Sequence, residues 1–379
     1  MAAKKTDPFA AAMNVIDKVN PEADFLDQSA MSVVKSFIDS GSMTLNAIMS
    51  GSLKGGIPSG RIVGYVGPSG CGKTMMMLKA VANAQKQGRY AIIWDSENAV
   101  DMQTAVNLGC NPARIKHCPV ETVTDCRNQI VKFLDSVIAD PSLHGKFILV
   151  IDSIANLASQ KELDDATANK HAVDMGARAK FLKSMFRTIT YKAAKADCPL
   201  LFSNHVYDDP AAMYASIKKS QSGGKGPEYM SSIVVQLNQT FDKTKGEEVL
   251  GIAKSATGGQ VSGVTMNALT VKNRFLPPYL ECDIKVNFKS GLEPFEGLIK
   301  MAKDMGVLEG DSSYTFLRGP QKGTKIGQKR KFNDDQEVWG QIVDELDIAV
   351  QEHFRFSCET DDDPALAVDI VQEAADDNE

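Results

Sequence analysis

Six apolar runs dominate the middle of the chain, and several of them end abruptly in polar residues. They are RIVGYVG (61–67), YAIIWDSE (90–97), KFILVIDS (146–153), PLLFSNH (199–205), SSIVVQLNQ (231–239) and MNALTVKNR (266–274). Most are continuous rather than alternating, which is the pattern of strands buried on both faces. Between them, Thr74–Gln87, Thr122–Ala139 and Asn169–Ala196 place apolar residues at helical spacing. Strands alternating with helices predict an α/β fold, a mainly parallel sheet with helices on both faces.

That alternation fills residues 39–295. Residues 1–38 read as a helical N-terminal arm, with apolar positions at Phe9, Met13, Ile16, Val33, Val34 and Phe37. Residues 296–355 form a small, mixed C-terminal region containing the basic stretch QKGTKIGQKRK (321–331). Residues 356–379 form an acidic tail, expected to be disordered. No internal repeat is present.

Composition narrows the class. The chain has 379 residues, 43% hydrophobic and 24% charged, as an ordinary soluble protein does. No apolar run approaches the roughly 18 residues that cross a bilayer. Asp7, Asn14 and Asp17 interrupt any signal-peptide core at the N-terminus. The seven cysteines include no C-x-x-C pair, and Cys110, His117, Cys118 and Cys126 match no zinc spacing. They read as free thiols in a reducing cytoplasm.

A net charge of −6 argues against nucleic-acid binding until its distribution is considered. After Arg355 there is no Lys or Arg, while Glu359, Asp361, Asp362, Asp363, Asp369, Glu373, Asp376, Asp377 and Glu379 are acidic. The tail carries more negative charge than the whole-chain excess, so the rest of the chain is slightly basic. The tail is open to two readings: a solubilising segment, or an internal DNA mimic that competes for a basic groove.

GPSGCGKT (67–74) satisfies the phosphate-loop pattern G-x-x-x-x-G-K-[ST], follows an apolar strand and opens a helix. The segment Gly67, Pro68, Ser69, Gly70, Cys71, Gly72, Lys73 and Thr74 presents backbone N–H groups to phosphates. Gly70 and Gly72 permit the turn, Lys73 reaches the β- and γ-phosphates, and Thr74 offers its hydroxyl to Mg²⁺. Asp152, at the end of FILVID, suits the second metal-holding position. Glu97, just past IIWDS, is the candidate base for an attacking water, with Asp95 more structural.

Taken together, SGSLKGGIPSGRIVGYVGPSGCGKT, IIWDSE, LVIDSIANL, LFSNH and TVKNR, in this order, resemble the RecA-type recombinases. IDSIANLASQKELDDA, DMGARAKFLKSMFRTIT and NHVYDDPAAMYASIKKSQSGGKGPEYMSS are especially similar to the UvsX-type recombinases of tailed phages. The likeness covers about residues 42–300. It implies a RecA-like P-loop ATPase core with a helical arm and a small C-terminal region. It also implies a protein that forms a helical filament on single-stranded DNA, hydrolyses ATP with Mg²⁺, and exchanges strands with double-stranded DNA in recombination and repair. A single-strand-binding protein and a recombination mediator are the implied protein partners, in the cytoplasm of an infected bacterial host and away from membranes.

By the same resemblance Lys73 and Thr74 bind nucleotide and Mg²⁺, Asp152 is the Walker B carboxylate, and Glu97 activates water. His205 takes the γ-phosphate sensor position, and Lys272 and Arg274 reach the neighbouring protomer's ATP. The family often stacks an aromatic residue on adenine where this chain has Thr104. Phe9 and Ala12 are spaced like the F-x-x-A polymerisation motif. DNA is expected at two loops, about Ser159–Asn169 and Val206–Gly226. The second carries Tyr207, Tyr214, Lys218, Lys219 and Lys225, with glycines at 223, 224 and 226. Arg178 and Arg187, on the helix after the first loop, are expected to face the DNA backbone. Asp208 and Asp209 keep the second loop from being uniformly basic, and a plain surface loop with incidental lysines is the alternative. Two other functions stay open: a hexameric helicase-type motor, and a regulatory paralogue that binds ATP without turnover.

Overall fold

The computed structural model describes residues 8–29, 31–168, 175–207, 219–244 and 260–354. Among these, ten strands form one sheet. They are β1 (Ile62–Gly67), β2 (Tyr90–Asp95), β3 (Ile115–Pro119), β4 (Phe147–Asp152), β5 (Leu200–Tyr207), β6 (Ser220–Gln221), β7 (Ile233–Thr244), β8 (Gln260–Asn273), β9 (Glu281–Asn287) and β10 (Gly291–Leu292). The order is β10-β9-β8-β7-β1-β5-β4-β2-β3, with β6 paired to β5 outside that path.

Strands β7, β1, β5, β4, β2 and β3 run parallel. Strands β8, β9 and β10 extend the sheet antiparallel from β7. The α/β expectation therefore holds, and all six apolar runs lie in this sheet. β3 and β9 carry no such run. IKHCP leaves Lys116 and His117 exposed at the sheet edge, and ECDIKVN buries only Ile284 fully. An outer strand needs fewer apolar residues than a central one.

The continuous runs follow from burial on both faces. Val63, Tyr65, Ile93, Val150 and Leu201 pack with Met76, Met77, Val81 and Ala84 of helix α1 (Lys73–Lys86). Their strand neighbours Ile62, Ile92, Trp94, Leu149, Leu200 and Phe202 face the other side. There they meet α2 (Val123–Ala139) and α3 (Met175–Lys195) through Ile130, Leu134, Leu182, Phe186 and Ile189. Gly64 is required by this packing, since a Cβ there would lie 2.4 Å from the Phe202 ring.

A separate apolar cluster holds the C-terminal region, with Phe316, Phe332, Trp339, Ile342 and Leu346 packed with Ala47, Leu53 and Leu298. Phe295 stacks on Trp339 at 4.8 Å. In the arm, helix Pro8–Val19 leaves Phe9, Ile16 and Val19 more than half exposed. No helix among the described residues is long and apolar enough to cross a membrane. The acidic tail from residue 356 lies outside the described residues.

Both loop expectations are corrected in part. The second, Val206–Gly226, begins as strand, since β5 runs through Tyr207, and it pairs back as β6 at Ser220–Gln221. The first loop, Ser159–Asn169, is largely helix Gln160–Thr167. Ser159 Oγ accepts from the Glu162 N–H, and Glu162 Oε2 accepts from the Ser159 N–H. That reciprocal capping is legible in the spacing of Ser159 and Glu162 and satisfies two N–H groups that a loop would expose.

Candidate functional site

Register sets the site. In the parallel sheet, Gly67 at the end of β1 lies opposite His205 on β5, and Asp95 at the end of β2 lies opposite Asp152 on β4. Four strand ends thus deliver their polar residues to one rim. That rim is where ligands bind in open α/β sheets. A cavity of about 330 Å³ opens there, lined by residues including Gly72, Lys73, Thr74, Glu97, Asp152 and His205.

The loop 67–72 turns through left-handed backbone at Gly70 (φ 76°) and Gly72 (φ 90°). A side chain at Gly72 would in addition collide with Met266 Sδ at 2.5 Å. Cys71 is buried beneath the loop, and burial pushes its thiol pKa up, so it is packing rather than chemistry. Pro68 and Ser69 occupy the outer turn, and Ser69 lines the cavity. Lys73 is 8% exposed and its Nζ donates to the carbonyls of Gly67 (3.0 Å) and Pro68 (2.7 Å).

Thr74 Oγ1 donates to Asp152 Oδ2 at 2.6 Å, and Ser203 Oγ donates to Asp152 Oδ1. Burial pushes the Asp152 carboxyl above its usual pKa range, against the pull of the two hydroxyls. A hydroxyl and a buried carboxylate beside the glycine-rich loop 67–72 are hard oxygen donors of the kind Mg²⁺ takes. Among the described residues no group of three or more His, Cys, Asp or Glu could hold a metal alone. Mg²⁺ fits that limit, because it keeps waters and substrate oxygens around one or two protein ligands.

Glu97 is held by its own turn. Asp95 accepts from the N–H groups of Glu97 (3.0 Å), Ala99 (3.3 Å) and Val100 (3.1 Å), and pairs with His117 Nε2 (3.2 Å). Burial opposes ionisation of Asp95, yet these donors outweigh it and hold its carboxyl below the usual range. The structural reading of Asp95 therefore has a geometry behind it. Glu97 Oε1 accepts from Ser153 Oγ and faces His205 Nε2 at 3.2 Å. Thr104 also lines the cavity and is tied to Asp101, which accepts from its N–H (2.8 Å) and hydroxyl (3.0 Å).

A second, basic recess lies on the outgoing side of β5. Lys180 and Lys183 of α3 face Gly223, Gly224, Lys225 and Gly226 across about 240 Å³. Gly226 is needed for that approach, since a Cβ would lie 2.9 Å from Lys183. The recess is stitched to that rim. The Ser222 N–H donates to the His205 carbonyl at 3.0 Å, and Asn204 Nδ2 donates to the Ser222 carbonyl at 3.0 Å. Lys180 and Lys183 were not singled out from the sequence. Their spacing with Arg187, three and then four residues, was the available signal.

Arg187 is exposed on the same helix, and Lys225 and Tyr207 are exposed. The Lys219 N–H donates to Gln236 Oε1. Arg178 corrects its expectation: its guanidinium donates to the carbonyls of Leu157, Ile154 and Ala155, tying α3 to the segment after β4. Those backbone acceptors hold its Nε and Nη2 inward and leave the side chain half-buried. Tyr214 and Lys218 lie outside the described residues. Lys272 and Arg274 do not line this protomer's cavity. Lys272 Nζ donates to the carbonyls of Glu228 (2.9 Å) and Tyr229 (2.8 Å), and Arg274 Nη2 to that of Tyr229 (3.1 Å), at the end of helix Gly226–Met230.

Comparison with known proteins agrees with this architecture. A family model of the RecA N-terminal domain matches residues 9–293. Protein RecA of Bifidobacterium breve is 27% identical over 388 residues, covering 97% of this chain and 92% of that protein. Protein RecA of Desulforapulum autotrophicum is 26% identical over 310 residues, covering 80% and 81%. Protein RecA of Streptococcus agalactiae serotype III is 27% identical over 337 residues, covering 89% and 81%.

Proposed function

Since the chain belongs to the RecA family, we propose that it is a DNA-dependent ATPase that forms a helical filament on single-stranded DNA and carries out homologous pairing and strand exchange. The observation that carries this reading is a single strand end. β5 brings His205 to Glu97 above the phosphate loop, and its returning limb lines the lysine recess. Nucleotide and DNA would then be read by two ends of one structural connection.

In this reading the N–H groups of the loop and Lys73 bind the phosphates of ATP. Thr74 and Asp152 would hold Mg²⁺, which when bound neutralises phosphate charge. Glu97 takes a proton from water as the water oxygen bonds to the γ-phosphorus and the bond to the β-phosphate oxygen breaks, giving ADP and phosphate. His205 senses the γ-phosphate. Lys272 and Arg274 serve the ATP of the next protomer, and the exposed Phe9 and Ala12 of the arm serve self-association. A heterologous contact of that kind gives an open filament when its rotation does not close.

Lys180, Lys183, Lys225 and Arg187 would neutralise the DNA backbone, and Tyr207 would wedge against bases. Among the described residues no base-reading module accompanies them, which fits binding independent of sequence. The UvsX-like segments favour a phage recombinase acting in an infected cell, with double-stranded DNA, a single-strand-binding protein and a mediator as partners.

Hydrolysis measured with and without single-stranded DNA tests the proposal, with a large stimulation expected. Closed six-membered rings in electron microscopy with an ATP analogue would favour the helicase-type motor instead. His205→Ala is expected to bind nucleotide but show no increase in hydrolysis on adding single-stranded DNA. Stimulation that survives the change would leave His205 a mere strand-end residue. Lys183→Ala is expected to weaken single-strand binding and to lower the slope of log affinity against log salt by about 0.7. An unchanged slope would place the DNA elsewhere.

A further inference from the structure

The carboxylate of Glu97 is loaded unevenly. Oε1 takes both donors, Ser153 Oγ and His205 Nε2. Oε2 takes no hydrogen bond among the described residues, and Glu97 lines the phosphate-loop cavity. Ser153 is 1% exposed and fixed from behind: its N–H donates to Ser96 Oγ at 3.0 Å, and its carbonyl accepts from the same hydroxyl. Ser96 in turn is joined to β4 by its own N–H, which donates to the Asp152 carbonyl at 2.8 Å. The hydroxyl of Ser153 therefore stands on a braced junction between the ends of β2 and β4.

From this geometry we infer that Ser153 is the positioning residue for the catalytic carboxylate, fixing Oε1 of Glu97 so that Oε2 is the oxygen presented to the attacking water. The inference rests on the proposed ATPase reading. There His205 has two acceptors to serve, Oε1 of Glu97 and the terminal phosphate. When the imidazole turns to the phosphate, one of the two donors on Oε1 is lost. Ser153 is the donor that stays within reach, because its backbone is clamped to Ser96 just past the buried end of β4.

Without it, the carboxylate would regain rotamer freedom at the step where its placement matters. Misplacement of a reacting group by about 1 Å can cost on the order of 100-fold in rate. The hydrogen bonds of Ser153 go to Ser96 and Glu97 and it does not line the phosphate-loop cavity, so nucleotide affinity should not depend on it. The effect should fall on turnover and not on binding.

The test uses the full chain with Ser153→Ala and Ser153→Thr. For Ser153→Ala, kcat with single-stranded DNA should fall at least about tenfold, while the Kd for ATP analogue and for DNA stays within about twofold of the parent. Ser153→Thr keeps the hydroxyl and should recover most of kcat. Melting temperature is recorded for both. If both variants melt early, the Thr/Ala ratio of kcat measured well below melting decides, since a purely structural role predicts a ratio near one. Unchanged kcat in Ser153→Ala, or equal losses in kcat and nucleotide affinity, would overturn the inference. A parent protein with no hydrolysis at all would instead overturn the ATPase reading.

Discussion

Lys73→Ala is expected to reduce ATP turnover to background, with or without single-stranded DNA. Lys73 is the one cation that lines the phosphate-loop cavity among the described residues, and it is nearly buried there. Its ammonium donates to two carbonyls of the loop, Gly67 and Pro68, so it sits within reach of any phosphate cradled by the loop N–H groups. A preorganised donor aimed at developing charge is worth roughly 100- to 1,000-fold in rate. The lysine supplies charge as well as a donor, so its loss should reach or exceed the top of that range. Phosphate release is the measurement. Hydrolysis at the parental rate would refute the assignment of the loop.

Glu97→Gln is expected to separate binding from chemistry. Glutamine keeps the length of the side chain and an oxygen that can accept from Ser153. It cannot take a proton from water. Loss of a general base costs roughly 100- to 10,000-fold. Nucleotide binding should persist, because the loop, Lys73 and Thr74 are untouched. The ATP-bound protein should then remain on single-stranded DNA far longer than the parent, which DNA-release kinetics would read directly. Loss of nucleotide binding would count against Glu97 as base and for a structural role.

How far these two residues were visible in advance differs from how far their settings were. The phosphate loop is a local motif. Its glycines, lysine and threonine act through backbone geometry within eight residues, and a strand before it and a helix after it complete the requirement. Asp152, Glu97 and His205, at or within two residues of strand ends, were visible for a similar reason. Continuous apolar runs mark buried strands, and polar residues at their ends mark a rim.

The partners of those residues were not visible. Ser153 and Ser203 are common residues in unremarkable positions. They matter because β4 pairs with β2 and lies beside β5, so that Ser153 meets Glu97 and Ser203 meets Asp152. Arg178 reads as a DNA contact because it is a cation on the helix that follows the first loop. Three unpaired carbonyls after β4 drew it inward instead. Lys180 and Lys183 became a recess only when Gly223–Gly226 packed against their helix.

The sequence by itself determined the class of the fold, the phosphate-loop motif and the polar residues at or near the ends of the central strands, because each is encoded in short-range pattern: burial periodicity, glycine placement, and strand-to-helix order. Only the tertiary structure decided which strand ends stand side by side, which oxygen of Glu97 is held, and which basic side chains face outward. Those outcomes depend on parallel pairing between segments tens of residues apart, and on the demand of buried carbonyls and carboxylates for donors. Neither is written in any one segment of the chain.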